Sequence, residues 1–184
     1  MTETLPSPRF SICVYCGARD GNSPAYLQAA HDLGALIGAR GWRLVFGAGD
    51  HGIMGAVADA ARQKGAETLG VIPTHLIGTE MNVRRSDQII TETMHERKKV
   101  MLMNADAVAV LPGGAGSLDE FFEVLTWAQL GLHDKPIVLV NVEGYWDPLI
   151  ALIENVVDQG FADNSLRGLF QVARTVDDVG DLLP

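Results

Sequence analysis

Residues 105–110, Ala-Asp-Ala-Val-Ala-Val, run directly into Leu111-Pro112-Gly113-Gly114-Ala115-Gly116-Ser117, and a helical stretch follows over 121–130. The short apolar run suits a strand buried in a parallel sheet. A strand, a glycine-rich turn and then a helix place that turn at the carboxyl edge of an open α/β sheet, where such folds bind ligands. Few other architectures use this order of elements, and the rest of the chain repeats it.

The loop has the chemistry of an anion cradle. Glycines let a backbone approach a ligand closely. The start of a helix offers unpaired N–H groups and the positive end of its dipole, which suits a phosphate. Ser117 adds a hydroxyl, and Glu120 follows one turn into the helix. Helical spacing sets Leu118, Phe121, Phe122 and Leu125 on one face, toward the sheet. Glu120 falls roughly opposite, beside Val124 and Trp127, which a solvated face would not normally carry. Glu120 is therefore expected to line a partly apolar cleft or to lie near a subunit interface. The competing reading is a surface glutamate that only favours the helix N-terminus. A carboxylate beside an anion cradle points to chemistry on a phosphorylated molecule.

The alternation extends along the whole chain. Strands are expected at 10–16, 42–46, 68–72, 105–110 and 136–141. Ser23-Pro24 opens a helix to about Ala39, and a second helix runs to about Lys64. Thr93 and Glu96 fit a capping box that starts a helix through Asn104. A helix at 146–159, a short element within 161–172 and a last helix at 176–183 complete the pattern. The expected fold is a single doubly wound, Rossmann-like α/β domain over 1–184, a parallel sheet with helices on both faces. Residues 1–9 read as a flexible tail, and 74–90, with Arg84 and Arg85, as a long irregular loop able to cover the site.

The remaining features narrow the function. Net charge is −9, which argues against general nucleic-acid or anionic-membrane binding. With no signal-peptide pattern and no membrane-length apolar run, a cytoplasmic location is expected. Cys13 and Cys16 form C-x-x-C within a strand, so they face opposite sides and read as buried, non-redox thiols. The histidines have no ligand-like spacing, so no metal site is expected. Gly47-Ala48-Gly49-Asp50-His51-Gly52 matches a dinucleotide fingerprint, but the following strand ends in Pro73-Thr74-His75, without the ribose-binding acid. It reads instead as a tight turn where backbone meets ligand. Arg97 and Lys98 lie in the first turns of their helix, against its dipole. They face either an anionic partner or the solvent, paired there with Glu92 or Glu96.

Several segments together resemble one family. Pro112-Gly113-Gly114-Ala115-Gly116-Ser117-Leu118-Asp119-Glu120 is similar to the P-G-G-x-G-T-x-x-E motif of the Lonely Guy family. Met94-His95-Glu96-Arg97-Lys98 is similar to its M-x-x-R-K segment, and Val14 to Ala18 and Gly47 to Gly55 resemble its first two loops. Ser117 replaces the usual Thr but keeps the hydroxyl. The resemblance implies a cytokinin riboside 5′-monophosphate phosphoribohydrolase, releasing a purine base and ribose 5-phosphate without a metal or other cofactor. It implies Arg97 and Glu120 as catalytic residues. Gly113, Gly114, Gly116, Ser117, Met94 and Lys98 would bind a purine nucleoside 5′-monophosphate, in a homodimer. The alternative is a non-catalytic nucleotide-binding carrier of the same fold. The label "lysine decarboxylase", common in this family, would require a Schiff-base lysine for pyridoxal phosphate. Only Lys98 and Lys99 lie near the motifs.

Overall fold

The computed structural model describes residues 9–79 and 87–184. Its strands are β1 (Ser11–Tyr15), β2 (Arg43–Phe46), β3 (Thr68–Pro73), β4 (Asp87–Thr91), β5 (Ala107–Val110), β6 (Ile137–Val140) and β7 (Gln171–Ala173). Its helices are α1 (Pro24–Ala39), α2 (Gly52–Gln63), α3 (Met94–Met103), α4 (Ala115–Gln129), α5 (Asp147–Asp158) and α6 (Val176–Leu182). The strands form one parallel sheet in the order β4-β3-β2-β1-β5-β6-β7.

The central strands β1, β5 and β6 are buried along their full length, as continuous apolar runs between two helical layers should be. Alternation along β1 divides the core. Ile12, Val14 and Cys16 join one apolar cluster with residues of α1, α2 and α6. Cys13 and Tyr15 join the other, with residues of α3, α4 and α5. The two cysteines are thus free, buried and on opposite faces. Burial above all, and next the negative charge of Glu120, push both thiols well up from their ordinary range.

Local signals placed the helix starts well. Ser23 caps α1 and accepts from the Ala25 amide, with Pro24 in the first turn. Thr93 and Glu96 make the reciprocal capping box of α3. The sheet, however, has two more strands than the sequence reading contained. The stretch 74–90 ends in β4, which pairs with β3 from Leu69↔Asp87 to Pro73↔Thr91. As an edge strand it is half covered, with Ile90 53 % exposed, so it lacks the apolar run of its neighbours. β7, at the opposite edge, is three residues long and too short to carry a periodicity. Residues 1–8 of the expected tail, and Arg84 and Arg85 of the expected covering loop, lie outside the described residues.

From β1 the chain winds outward to β4, then returns to lay β5 on the other side of β1. The loops after β1 and β5 therefore leave the sheet toward opposite faces, and a crevice opens between them.

Candidate active site

Backbone hydrogen bonds join three loops at this crevice. Gly17 N, after β1, donates to Pro112 O, after β5, at 3.0 Å. Met54 N, in the first turn of α2, donates to Gly17 O at 3.1 Å. The cleft between them has a volume of about 610 Å³. Cys16, Gly17, Arg19 and Tyr26 line one side, Pro112, Gly113, Gly114, Gly116, Ser117 and Glu120 another, and Ile53, Met54, Leu76, Met94, Arg97 and Tyr145 much of the remainder.

The glycine loop runs straight into α4, which starts at Ala115 rather than near 121. The first helical bond is Leu118 N to Gly114 O at 3.1 Å, so the amides of Ala115, Gly116 and Ser117 have no acceptor within the helix. These donors stand at the positive end of the α4 dipole. Gly114 and Gly116 have open space where a side chain would begin. A Cβ on Gly113 would lie 2.1 Å from Ser117 Oγ and 2.8 Å from Gly17 N, so this residue is glycine because the protein itself fills the space.

Glu120 is 8 % exposed and lines the cleft. The face assigned to it from spacing needs correction. The buried residues of α4 are Ser117, Glu120, Phe121, Val124 and Leu125, while Phe122 is exposed. Glu120 thus shares the inward stripe instead of opposing it. The cradle at the start of α4 and the carboxylate one turn on are carried on the same inward side.

Arg97 is 4 % exposed, which rules out solvated pairing with Glu92 or Glu96. Glu96 instead receives the Glu92 and Thr93 amides. Arg97 Nε donates to Val71 O at 3.1 Å and Nη2 to Gly47 O at 2.9 Å, which fixes the guanidinium between β3 and the residue after β2. Met94 lies beside it, with Sδ 3.8 Å from Nη1. A Cβ on Gly47 would stand 2.0 Å from Nη2, so the fingerprint-like glycine makes room for this arginine. Gly52, at φ +61, presses against the backbone of Ala18 and Arg19. Gly47 and Gly52 themselves face protein groups, and the residues of this stretch that line the cleft are Ile53 and Met54, directly after it.

Lys98, expected at the ligand, lies outside the residues that line the cleft. Its ammonium sits 2.9 Å from Asp119 and 2.8 Å from Glu123, both on α4. Burial lowers its pKa, but the bonds to Glu123 and Asp119 outweigh this and raise it above the ordinary 10.5. Lys98 therefore ties the helix of Arg97 to the helix of Glu120 through the residues next to each. Lys99 lies on a separate groove, with Leu102, Met103, Trp127, Leu132, His133 and Lys135. Neither lysine offers a Schiff-base amine to the cleft.

Tyr26, Tyr145 and Leu76 line the cleft without having been singled out from the sequence, whereas Ile53 and Met54 belong to the Gly47 to Gly55 stretch that resembles a family loop. No short motif marks the first three, because they come from three separate segments. The assembled site can hold an anion at the start of α4 and bring a buried carboxylate and guanidinium to a neutral, apolar body. No helix among the described residues is long and apolar enough to cross a membrane.

Residues 54–183 match the family model described as possible lysine decarboxylase. A probable cytokinin riboside 5′-monophosphate phosphoribohydrolase of Oryza sativa subsp. japonica is 42 % identical over 96 % of this chain and 76 % of its own. A cytokinin riboside 5′-monophosphate phosphoribohydrolase of Arabidopsis thaliana is 40 % identical over 96 % of this chain and 83 % of its own. Among solved structures, the molybdenum cofactor binding protein of Rippkaea orientalis superposes with a TM-score of 0.71 at 20 % identity, covering 95 % of each chain, a likeness of fold alone.

Proposed function

Because the chain belongs to the possible-lysine-decarboxylase family, the Lonely Guy group of its motifs, we propose that it hydrolyses the N-glycosidic bond of purine, and specifically cytokinin, riboside 5′-monophosphates. The products are the free base and ribose 5-phosphate. The observation that carries this reading is that Arg97 and Glu120, on different helices, are both buried and both line the one cleft whose floor is the glycine cradle.

The chemistry follows from the groups present. Breaking C1′–N9 leaves the bonding pair on the base and positive charge on the ribose, an oxocarbenium-like state. Glu120 stabilises that charge and takes a proton from the water whose oxygen bonds to C1′. Arg97, with two nitrogens anchored on backbone carbonyls, offers positive charge to the departing base, and the proton that Glu120 took from the water passes to that base, which restores the carboxylate. Gly113, Gly114, Gly116 and Ser117 hold the 5′-phosphate. Met94, with Ile53, Met54 and Leu76, supplies apolar surface for the base and its substituent. No metal or cofactor is required by these steps. Lys98 serves the substrate through Asp119 and Glu123, not by contact.

The same reading includes a cytoplasmic homodimer. Met103, Leu130 and Leu132 are exposed beside the groove that holds Trp127, an apolar surface next to both site helices that a second copy would cover. Sedimentation of Leu132→Glu tests this: a shift from dimer to monomer supports it, and an unchanged monomeric wild type removes it.

The test of the activity is incubation with AMP and, separately, with isopentenyladenosine 5′-monophosphate, following base and ribose 5-phosphate by chromatography. Base release supports hydrolysis and ranks the substrates. Tight binding of both nucleotides with no product leaves the carrier reading.

A further inference from the structure

The segment between β6 and α5 is built with unusual care for a surface connection. Asn141 Oδ1 accepts from the Trp146 amide at 2.7 Å, while its Nδ2 donates to Asp147 at 2.7 Å. Trp146 Nε1 donates to Val110 O, at the end of β5, at 3.2 Å. Glu143 adopts φ +50, uncommon for a residue with a side chain, and accepts from Ser23 Oγ at the cap of α1 at 2.8 Å. The Tyr145 ring meets Tyr26 edge-on at 5.4 Å and Trp146 at 4.7 Å. These contacts deliver one polar atom to the glycine loop. The Tyr145 hydroxyl donates to Gly113 O at 2.6 Å.

We infer that Tyr145 is a positioning residue for the anion cradle, fixing the Gly113–Gly114 peptide so that the Gly114 N–H faces the bound phosphate. In a trans peptide the C=O and N–H point in opposite directions. Holding the Gly113 carbonyl on the Tyr145 side therefore turns the Gly114 amide away from it. The need for such a hold is specific to this loop. Two successive glycines rotate their shared peptide plane at little steric cost, and Gly114 has nothing within 4 Å where a side chain would begin. A donor fixed before the ligand arrives binds it without a further ordering cost. The aromatic contacts and the Ser23–Glu143 bond are what hold the phenol in place. This inference rests on the proposed function in taking the cradle's ligand to be the 5′-phosphate.

Tyr145→Phe tests it, because the ring contacts remain and only the hydroxyl is lost. KM for AMP and the inhibition constant for ribose 5-phosphate should each rise about 5- to 10-fold, the loss expected of one hydrogen bond's ordering effect. The kcat should stay within about 2-fold, and competition by adenosine, which lacks the phosphate, should not change. Unchanged values for AMP and ribose 5-phosphate would overturn the inference. So would equal weakening of adenosine, which would mean a merely structural role. If the wild type binds ribose 5-phosphate in calorimetry but hydrolyses no nucleotide, the proposed function fails, and the same comparison of ribose 5-phosphate with adenosine still decides the role of Tyr145. Should the variant not fold, Glu143→Gly tolerates the positive φ, removes the bond to Ser23 and should move the same constants in the same direction.

Discussion

Two glycine-rich turns leave the same sheet edge, one after β2 and one after β5, and each leads into a helix. In the first, the protein occupies the space a side chain would need: the Arg97 guanidinium at Gly47 and the Ala18–Arg19 backbone at Gly52. In the second, only Gly113 is filled in this way, and Gly114 and Gly116 open onto the cleft. Both turns are glycine-rich because something approaches their backbone closely. In one case it is the side chain of Arg97, and in the other the backbone borders open space in the cleft. A glycine motif reports close approach and does not say what approaches.

The sharpest way to separate the two turns is to remove what each serves. Glu120→Ala, beside the second turn, should lower kcat by about 10²- to 10⁴-fold, the usual range for losing an acid–base group. Nucleotide binding, read by calorimetry, should survive, and retained turnover would sink the role assigned to Glu120. Gly47→Ala, in the first turn, should displace the guanidinium and cost about 10²-fold in kcat, as misplacement of about 1 Å can. It should also lower the melting temperature, since the clash is inside the fold.

The second turn can then be divided against itself. Gly113→Ala should destabilise the protein by about 1–3 kcal/mol, because the neighbouring Gly17 backbone has no easy retreat. Gly114→Ala should leave denaturant stability unchanged, since its φ of −95° suits alanine and the space is open. It should instead raise KM for the nucleotide. If both variants behave alike, the distinction between filled and open glycines fails.

The smallest effect concerns the tie between the two site helices. Lys98→Met should lower stability and reduce kcat modestly without changing competition by ribose 5-phosphate. Because the folded-state pKa of Lys98 is raised above the ordinary 10.5, the contribution of its charge is complete below that value and is lost as pH rises through the folded-state pKa. The stability difference between wild type and variant should therefore stay constant from neutral pH to about 10 and shrink beyond it, read by denaturant titration at several pH values.

Much of the site was legible in the chain because its signals are local. The capping pairs Ser23-Pro24 and Thr93–Glu96, the strand before Pro112 and the glycines before Glu120 all act within one turn of backbone. The family motifs named Arg97 and Glu120, and the structure places both in one cleft. What was misread depended on neighbours. The face of Glu120 followed from a spacing that treated Phe122 as inward, yet Phe122 is exposed. β4 and β7 were missed because edge strands do not need the apolar run that marks a central one.

Composition, periodicity and capping chemistry pointed to a doubly wound α/β fold with a glycine-rich turn and a helix start at a sheet edge, and the structure has both. These signals suffice because helix starts and buried strands are stabilised by residues a few positions apart. Only the tertiary structure decided which groups meet at that turn. Arg97 and Gly47 are 50 residues apart, Tyr145 and Gly113 are 32 apart, and Ser23 and Glu143 are 120 apart. Contacts at such separations are set by the order in which strands join the sheet, and no local pattern in the chain encodes that order.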